Sequence, residues 1–243
     1  MSVSHSPIQT VFLDAGGVLI HPNWQRVSDT FTRHGVTVSA SALRDSEPDV
    51  KFGIDTAHGV STTKDSDRGS GLFNGILDRV GVPRDARRET ALSELYAYHM
   101  EYNLWEDVDP EAPATLDRLR SQGLKLAVVS NANGIVQRAF ERVGLKGYFD
   151  VICDSQIEGV EKPDPRFFQI VLERTGSRAE TTIHVGDLYH VDVVGARRAG
   201  LRQLLLDPHG LYEAFDVDRI RSLAELPGYV ARSGGRRQRT SNV

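Results

Sequence analysis

Residues 11–19 read Val-Phe-Leu-Asp-Ala-Gly-Gly-Val-Leu, and this stretch decides the class of fold. A short apolar run that ends on a carboxylate, Asp14, and then turns through Gly16 and Gly17 is typical of a buried strand with a polar group at its end. The predicted strand covers residues 8–13. The two glycines leave backbone amides exposed beside the carboxylate, so this turn is a candidate site.

Four further strands are predicted downstream, with amphipathic helices between them. The strands cover residues 124–130, 148–153, 181–185 and 201–206, and the helices cover residues 135–144, 165–174 and 191–199. Strands that alternate with helices indicate βαβ units and a mostly parallel sheet that is covered on both faces. The predicted fold class is therefore α/β, with a Rossmann-like parallel sheet of about five strands.

The character of the sequence changes between the first and second predicted strands. Helices are predicted over residues 24–34, 71–80 and 86–102. Residues 45–70 are polar and poor in periodicity, which predicts a loop. The predicted organisation is an α/β core over residues 1–20 and 105–231, a smaller helical cap over residues 21–104, and a disordered basic tail over residues 232–243.

Composition excludes several classes of function. The 243-residue chain has a formal net charge of -4, which does not favour a nucleic-acid or anionic-membrane partner. No apolar run approaches the roughly 18 residues of a membrane span, and the N-terminus lacks the pattern of a signal peptide. The single cysteine, Cys153, rules out an internal disulfide and fits a reducing compartment. We expect a cytoplasmic protein whose partner is a small molecule; its oligomeric state stays open.

Four groups of polar residues fall at or near the ends of predicted strands, where open α/β sheets bind their ligands. They are Asp14 with its glycines, Ser130 with Asn131, Lys162 between Glu161 and Pro163, and Asp187 with Asp192. Taken singly, each is explained by a turn, a helix cap or a solvated lysine. Together they supply a nucleophile, a hydrogen-bond donor, a cation and metal-binding acids. Phosphoryl transfer through a covalent carboxylate requires this set.

In order and in type, the four groups resemble the four motifs of the haloacid dehalogenase superfamily, and the resemblance covers essentially the whole chain except the tail. It implies a hydrolase in which Asp14 attacks the substrate and forms a covalent intermediate. Ser130, Asn131 and Lys162 would bind the transferred group, and Lys162 would also offset the negative charge that gathers around Asp14.

The resemblance also implies that the cofactor is Mg²⁺. Its protein ligands would be Asp14, the backbone carbonyl of Gly16, and Asp187, since hard oxygen donors suit this ion. Asp192 would orient the site without binding the ion directly. The predicted helical cap corresponds to the mobile cap of the superfamily, which excludes water and selects the substrate.

One departure from the pattern concerns the general acid. The phosphatases of the superfamily carry a second aspartate two residues after the nucleophile, and here that residue is Gly16. Loss of a general acid lowers the rate on the order of 10²–10⁴-fold, most for poor leaving groups. We therefore expect a phosphatase for a small phosphorylated metabolite with a good leaving group. His21 and His58 are candidate substitute acids, although each is explained as an exposed histidine.

Three alternatives remain open. Haloacid dehalogenases also lack the second aspartate, and the Ser130-Asn131 pair is similar to theirs, but Asp187 matches the metal-binding form of the fourth motif. The phosphonate-cleaving branch uses a cap lysine to form an imine. Lys51 and Lys64 lie in the predicted cap, where surface lysines are expected. The third alternative is a catalytically quiet protein that binds a phosphorylated ligand.

Overall fold

The computed structural model describes residues 6–233, and within them the chain forms eight strands and eleven α-helices. The strands are β1 (Thr10–Leu13), β2 (Ile20–Pro22), β3 (Trp105–Val108), β4 (Lys125–Ser130), β5 (Val151–Asp154), β6 (Thr182–Gly186), β7 (Arg202–Leu206) and β8 (Arg219–Ile220). The helices are α1 (Trp24–Arg33), α2 (Ala40–Ile54), α3 (Ala57–Thr62), α4 (Asp65–Arg79), α5 (Ala86–Tyr102), α6 (Ala112–Ser121), α7 (Val136–Arg142), α8 (Ser155–Glu158), α9 (Pro165–Thr175), α10 (Val194–Arg198) and α11 (Leu226–Ser233).

Six strands form one sheet in the order β5-β4-β1-β6-β7-β8, and each neighbouring pair is parallel. All residues of β1 are buried, because helices cover both faces of a parallel sheet. The predicted α/β class is confirmed. The sheet has six strands instead of about five, since the two-residue strand β8 pairs with the edge of β7.

The central position of β1 decides where the site forms. Leu13, its last residue, lies opposite Val128 of β4 on one side and Val185 of β6 on the other. The carboxyl ends of these three parallel strands therefore meet at one edge of the sheet.

The chain leaves the core after β2, forms helices α1 to α5 and returns to the core at β3. We call residues 23–104 the helical insert. β2 and β3 pair antiparallel, with Ile20 opposite Val108, so the two chain crossings lie side by side. The sequence did not predict this short sheet. The insert has an apolar cluster of its own, which includes Trp24, Phe31 and Ile76.

The predicted loop over residues 45–70 is wrong, because this stretch contains the greater part of α2, all of α3 and the start of α4. In α2 only Leu43 and Ser46 are buried, so the helix shows little apolar periodicity. Pro48 inside it also predicts a helix break. Packing against α4 and a side-chain cap from Ser39 stabilise α2 instead.

The predicted tail begins too early, since Arg232 and Ser233 complete α11. The rest of residues 232–243 lies outside the described residues. Among the helices of residues 6–233, none is both long and apolar enough to cross a lipid bilayer.

Candidate active site

Asp14 lies directly after β1, and its carboxylate is held on one side only. Oδ1 accepts a hydrogen bond from the backbone amide of Ala15 at 2.7 Å and lies 3.0 Å from the ammonium of Lys162. Oδ2 accepts no hydrogen bond from any residue in the range 6–233. Burial raises the pKa of Asp14 to about 7, although Lys162 opposes the shift. The free oxygen is therefore the one that could attack a substrate.

Lys162 is completely buried, and its ammonium bridges two carboxylates. It lies 3.0 Å from Asp14 and donates to Asp192 Oδ1 at 2.7 Å. Burial alone would lower the pKa of Lys162, but Asp14 and Asp192 together raise it above its usual value, so the side chain is a permanent cation. The side chain of Asn131 clamps the lysine backbone, because it accepts from Lys162 N at 2.8 Å and donates to Lys162 O at 3.0 Å.

Asp192 is fully buried, and both of its oxygens are taken by protein groups. Oδ1 accepts from Lys162 and from His184 Nε2 at 2.9 Å, and Oδ2 accepts from the backbone amide of Leu188 at 3.1 Å. Burial would raise the pKa of Asp192, but Lys162 and His184 hold it well below its ordinary value. With its acceptors occupied, Asp192 is placed to orient Lys162, and direct metal binding by Asp192 is disfavoured.

Asp187 follows β6 and faces the turn after β1. Gly17 in that turn has a φ of +79°, and a Cβ there would overlap both the Asp187 carboxylate and the ammonium of Lys51. Only glycine allows the turn to approach Asp187 this closely. Asp187 Oδ2 accepts from Lys51, whereas Oδ1 is buried and has no hydrogen-bond partner among the described residues. Burial raises the pKa of Asp187, and Lys51 opposes the rise.

The carboxylates fit a divalent metal ion. One oxygen from each of Asp14, Asp187 and Asp192 lies within 4.8 Å of the others. Asp187 Oδ1 has no hydrogen-bond partner among the described residues, and the contacts of the Asp14 carboxylate within residues 6–233 are made by Oδ1. Asp187 Oδ1 and Asp14 Oδ2 are therefore both free to bind a cation. Oxygen donors of this kind suit Mg²⁺. Gly16 lies two residues after Asp14 in the turn that follows β1, and its carbonyl remains the predicted third protein ligand.

Ser130 reaches the same edge as the last residue of β4. The side chain is buried, and its only hydrogen bond within residues 6–233 is a long one of 3.5 Å to the carbonyl of Asn131. The hydroxyl is therefore available to a ligand. Its predicted role and that of Asn131 in substrate binding remain predictions, and the amide of Asn131 already holds the backbone of Lys162.

The structure does not bring the other candidates to this cluster. His21 pairs with Asp109 at 3.3 Å beside the two-stranded sheet, and Lys64 and His58 are exposed on the insert.

Two residues of the insert and its return strand reach the site without having been predicted to do so. Lys51 in α2 is not a surface lysine: its side chain is 20% exposed and pairs with Asp187. Trp105 begins β3, and a Cβ on Gly16 would lie 3.2 Å from its Cδ1 and Nε1. Only the resemblance to the phosphonate-cleaving branch drew attention to Lys51, and no sequence signal pointed to Trp105.

Comparison with known proteins identifies the family of the chain. A family model for haloacid dehalogenase-like hydrolases matches residues 8–200. Haloacid dehalogenase-like hydrolase domain-containing protein 3 of Bos taurus is 31% identical over 198 residues, which are 77% of this chain and 76% of that protein. Ribulose-1,5-bisphosphate 5-phosphatase of Halopiger xanaduensis is 37% identical over 113 residues, 46% of this chain and 47% of that enzyme, so the match spans about half of it.

Solved structures agree on the fold. YfnB of Bacillus subtilis, whose crystal structure is bound to magnesium, superimposes with a TM-score of 0.70 at 20% identity and covers 93% of this chain and 99% of its own. The family model spans far more than half of the chain, and the four predicted motif groups meet at one edge of the sheet. The protein belongs to the haloacid dehalogenase-like hydrolases.

Proposed function

We propose that this hydrolase is a magnesium-dependent phosphatase that acts on a small phosphorylated metabolite through an aspartyl-phosphate at Asp14. The observation that carries the proposal is that protein groups contact only one of the two carboxylate oxygens of Asp14. Its Oδ1 is held by Ala15 and Lys162, its Oδ2 is free of partners within residues 6–233, and Asp187 beside it has an unpartnered oxygen. The phosphatase name of the relative from Halopiger xanaduensis supports a phosphate ester as substrate.

The reaction has two steps. Asp14 Oδ2 attacks the phosphorus atom, and the bond from phosphorus to the leaving oxygen breaks with its electron pair on that oxygen. Water then attacks the phosphorus of the acyl phosphate, which releases inorganic phosphate and regenerates the carboxylate. Lys162, 3.0 Å from Asp14, offsets the repulsion between carboxylate and phosphate. Mg²⁺ held by Asp14, Asp187 and the carbonyl of Gly16 would supply further positive charge opposite the phosphate oxygens.

Trp105 lies against Gly16: a Cβ at position 16 would be 3.2 Å from Cδ1 and Nε1 of the indole, so an acid there would require the indole to shift. The indole is fixed between Phe73, at 5.7 Å between ring centroids, and His99, at 5.3 Å. Because residue 16 carries no acid, the leaving group receives no proton from this position. We therefore propose substrates whose leaving groups depart as stable anions, such as phenolates or acyl phosphates.

One observation favours a second candidate, a carbon–phosphorus hydrolase, because Lys51 of the insert reaches the site. An imine-forming lysine has to be a neutral amine. Burial alone would lower the pKa of Lys51, but Asp187, Glu47 and Asp14 together raise it above its usual value. In this arrangement Lys51 is an ammonium ion, which favours the phosphatase. Borohydride trapping of an aldehyde substrate on Lys51 would instead support the second candidate.

The proposal is tested by phosphate release from p-nitrophenyl phosphate and from a panel of sugar and alkyl phosphates, with Mg²⁺ and with EDTA. We expect magnesium-dependent release with a preference for the phenolic ester. Asp14→Asn should lower kcat by at least about 10⁴-fold, since the nucleophile is lost. Asp117→Asn is the matched control, because Asp117 is exposed on α6. Full activity of the Asp14→Asn protein would exclude the covalent mechanism.

A further inference from the structure

The ion pair between Lys51 and Asp187 places a cation of the protein beside the proposed metal ligands. The Lys51 side chain is 20% exposed and that of Asp187 is 9% exposed, so water screens the pair only partly. The ammonium also lies against Gly17, in the turn that carries Asp14. Lys51 therefore approaches the same carboxylates that would bind a divalent ion.

The position of Lys51 follows from the way α2 is anchored to the core. Asp55, directly after α2, is buried and accepts from the backbone amide of Tyr189 at 2.7 Å and from the hydroxyl of Tyr212 at 2.8 Å. Phe52 packs edge-on against Tyr212 at 5.1 Å between ring centroids. Phe52 and Asp55 thus fix the C-terminal end of α2 against the core. Because the end of the helix is fixed, the direction in which it presents Lys51 toward Asp187 is fixed as well.

We propose that the Lys51 ammonium is a built-in cation of the metal site, which compensates Asp187 when no divalent ion is bound and which Mg²⁺ has to displace. The inference rests on the proposed use of Mg²⁺ by this site. Two cations on one carboxylate repel each other strongly in a poorly solvated site. Binding of Mg²⁺ and the contact between α2 and Asp187 therefore oppose each other, and the opposition is reciprocal.

Lys51 also compensates charge in the metal-free protein. Asp187 is a buried carboxylate with one unpartnered oxygen, and without a neighbouring cation its charge would be poorly compensated. Lys51 supplies that charge and draws the insert toward the edge of the sheet. If Asp187 bound Mg²⁺, the ion pair between Lys51 and Asp187 would be broken, and the contact between α2 and the edge of the sheet would be weakened.

The experiment is calorimetric titration of Mg²⁺ into the metal-free protein without substrate, for wild type, Lys51→Met and Lys64→Met. Lys64 is the matched control, because it is an exposed lysine of the same insert. We expect Lys51→Met to lower the Kd for Mg²⁺ by about tenfold or more and Lys64→Met to leave it unchanged. An unchanged or higher Kd in Lys51→Met, or no Mg²⁺ binding by either protein, would overturn the inference.

Two further measurements keep the test decisive. If Lys51→Met does not fold, Asp55→Asn replaces it, since loss of the anchor should also lower the Kd for Mg²⁺, by a smaller factor. Thermal unfolding gives a second readout: Lys51→Met should melt below wild type in EDTA, and saturating Mg²⁺ should remove most of the difference. A shifted Kd without any phosphatase activity would count against the proposed function alone, and phosphatase activity with an unshifted Kd against this inference alone.

Discussion

Two lysine–carboxylate contacts lie a few ångströms apart at the edge of the sheet, and they differ in kind. Lys162 belongs to the α/β core, is completely buried and bridges Asp14 and Asp192. Lys51 comes from the helical insert and is partly exposed, and within residues 6–233 its one ion pair is with Asp187. Removing one partner of a fully buried pair leaves a charge without solvent, whereas a pair that water reaches in part is partly screened and is exchanged at a lower cost. One contact therefore builds the site, and the other is free to be replaced by a metal ion.

The largest difference is expected on removing the buried lysine. Lys162→Met should lower the free energy of unfolding by about 3–5 kcal/mol, since Asp14 and Asp192 would remain buried side by side without their cation. Urea denaturation at pH 7 measures this loss. Mg²⁺ should restore only the part of the loss that comes from Asp14, a proposed metal ligand, because both oxygens of Asp192 accept hydrogen bonds from protein groups.

Lys51→Met is the counterpart in the same experiment. It should lower the free energy of unfolding by about 1–2 kcal/mol in EDTA, the usual penalty for a buried acceptor that loses its partner. Mg²⁺ should restore most of this loss, because the ion can take the place of the ammonium on Asp187. Equal losses for the two variants, or equal restoration by Mg²⁺, would show that the two contacts do not differ as we infer.

A second prediction concerns the turn that brings the acids together. Gly17→Ala should weaken Mg²⁺ binding by roughly 10–100-fold, since its Cβ would push against the Asp187 carboxylate. Gly35→Ala is the control, because Gly35 has a similar φ of +74° and open space around it. Both variants should strain the backbone, but only the first should change the titration with Mg²⁺. Equal metal affinity in the two variants would argue against a metal site at this turn.

The smallest predicted effect concerns the missing acid. Gly16→Asp alone should leave hydrolysis of alkyl phosphates nearly unchanged, because Trp105 lies 3.2 Å from the position of the new Cβ. Combined with Trp105→Leu, it should raise kcat on these esters by about tenfold, which is less than the roughly 10²–10⁴-fold of a native general acid because no other residue orients the introduced carboxylate. Trp105→Leu alone is the control. A full gain from Gly16→Asp alone would mean that the indole does not block this position.

Much of the core could be predicted because its signals are local. Strands β1, β4, β6 and β7 have four to six residues and each contains a short apolar stretch, and each prediction overlaps the observed strand. Parallel strands place their carboxyl ends at one edge of the sheet. The acid, the hydroxyl, the lysine and the acid pair each follow or end a predicted strand, so they could be predicted to share one site. The contacts of Asp14, Lys162 and Asp192 lie within this part of the chain.

The insert was harder to predict because its helices are stabilised mainly by tertiary packing. α2 buries two of its fifteen residues and contains Pro48, so no local pattern distinguishes it from a loop. β2 and β3 have three and four residues, and they form a sheet only because the rest of the insert brings them together.

The sequence by itself determined the parallel sheet, the position of Asp14 at its edge and the absence of an acid at Gly16, since apolar periodicity and residue identity are properties of short segments. Only the tertiary structure decided that Lys51 meets Asp187 and that Trp105 covers Gly16. Lys51 and Asp187 are 136 residues apart in the chain. Their contact depends on how α2 is anchored through Asp55 to the core, and no local pattern encodes that packing.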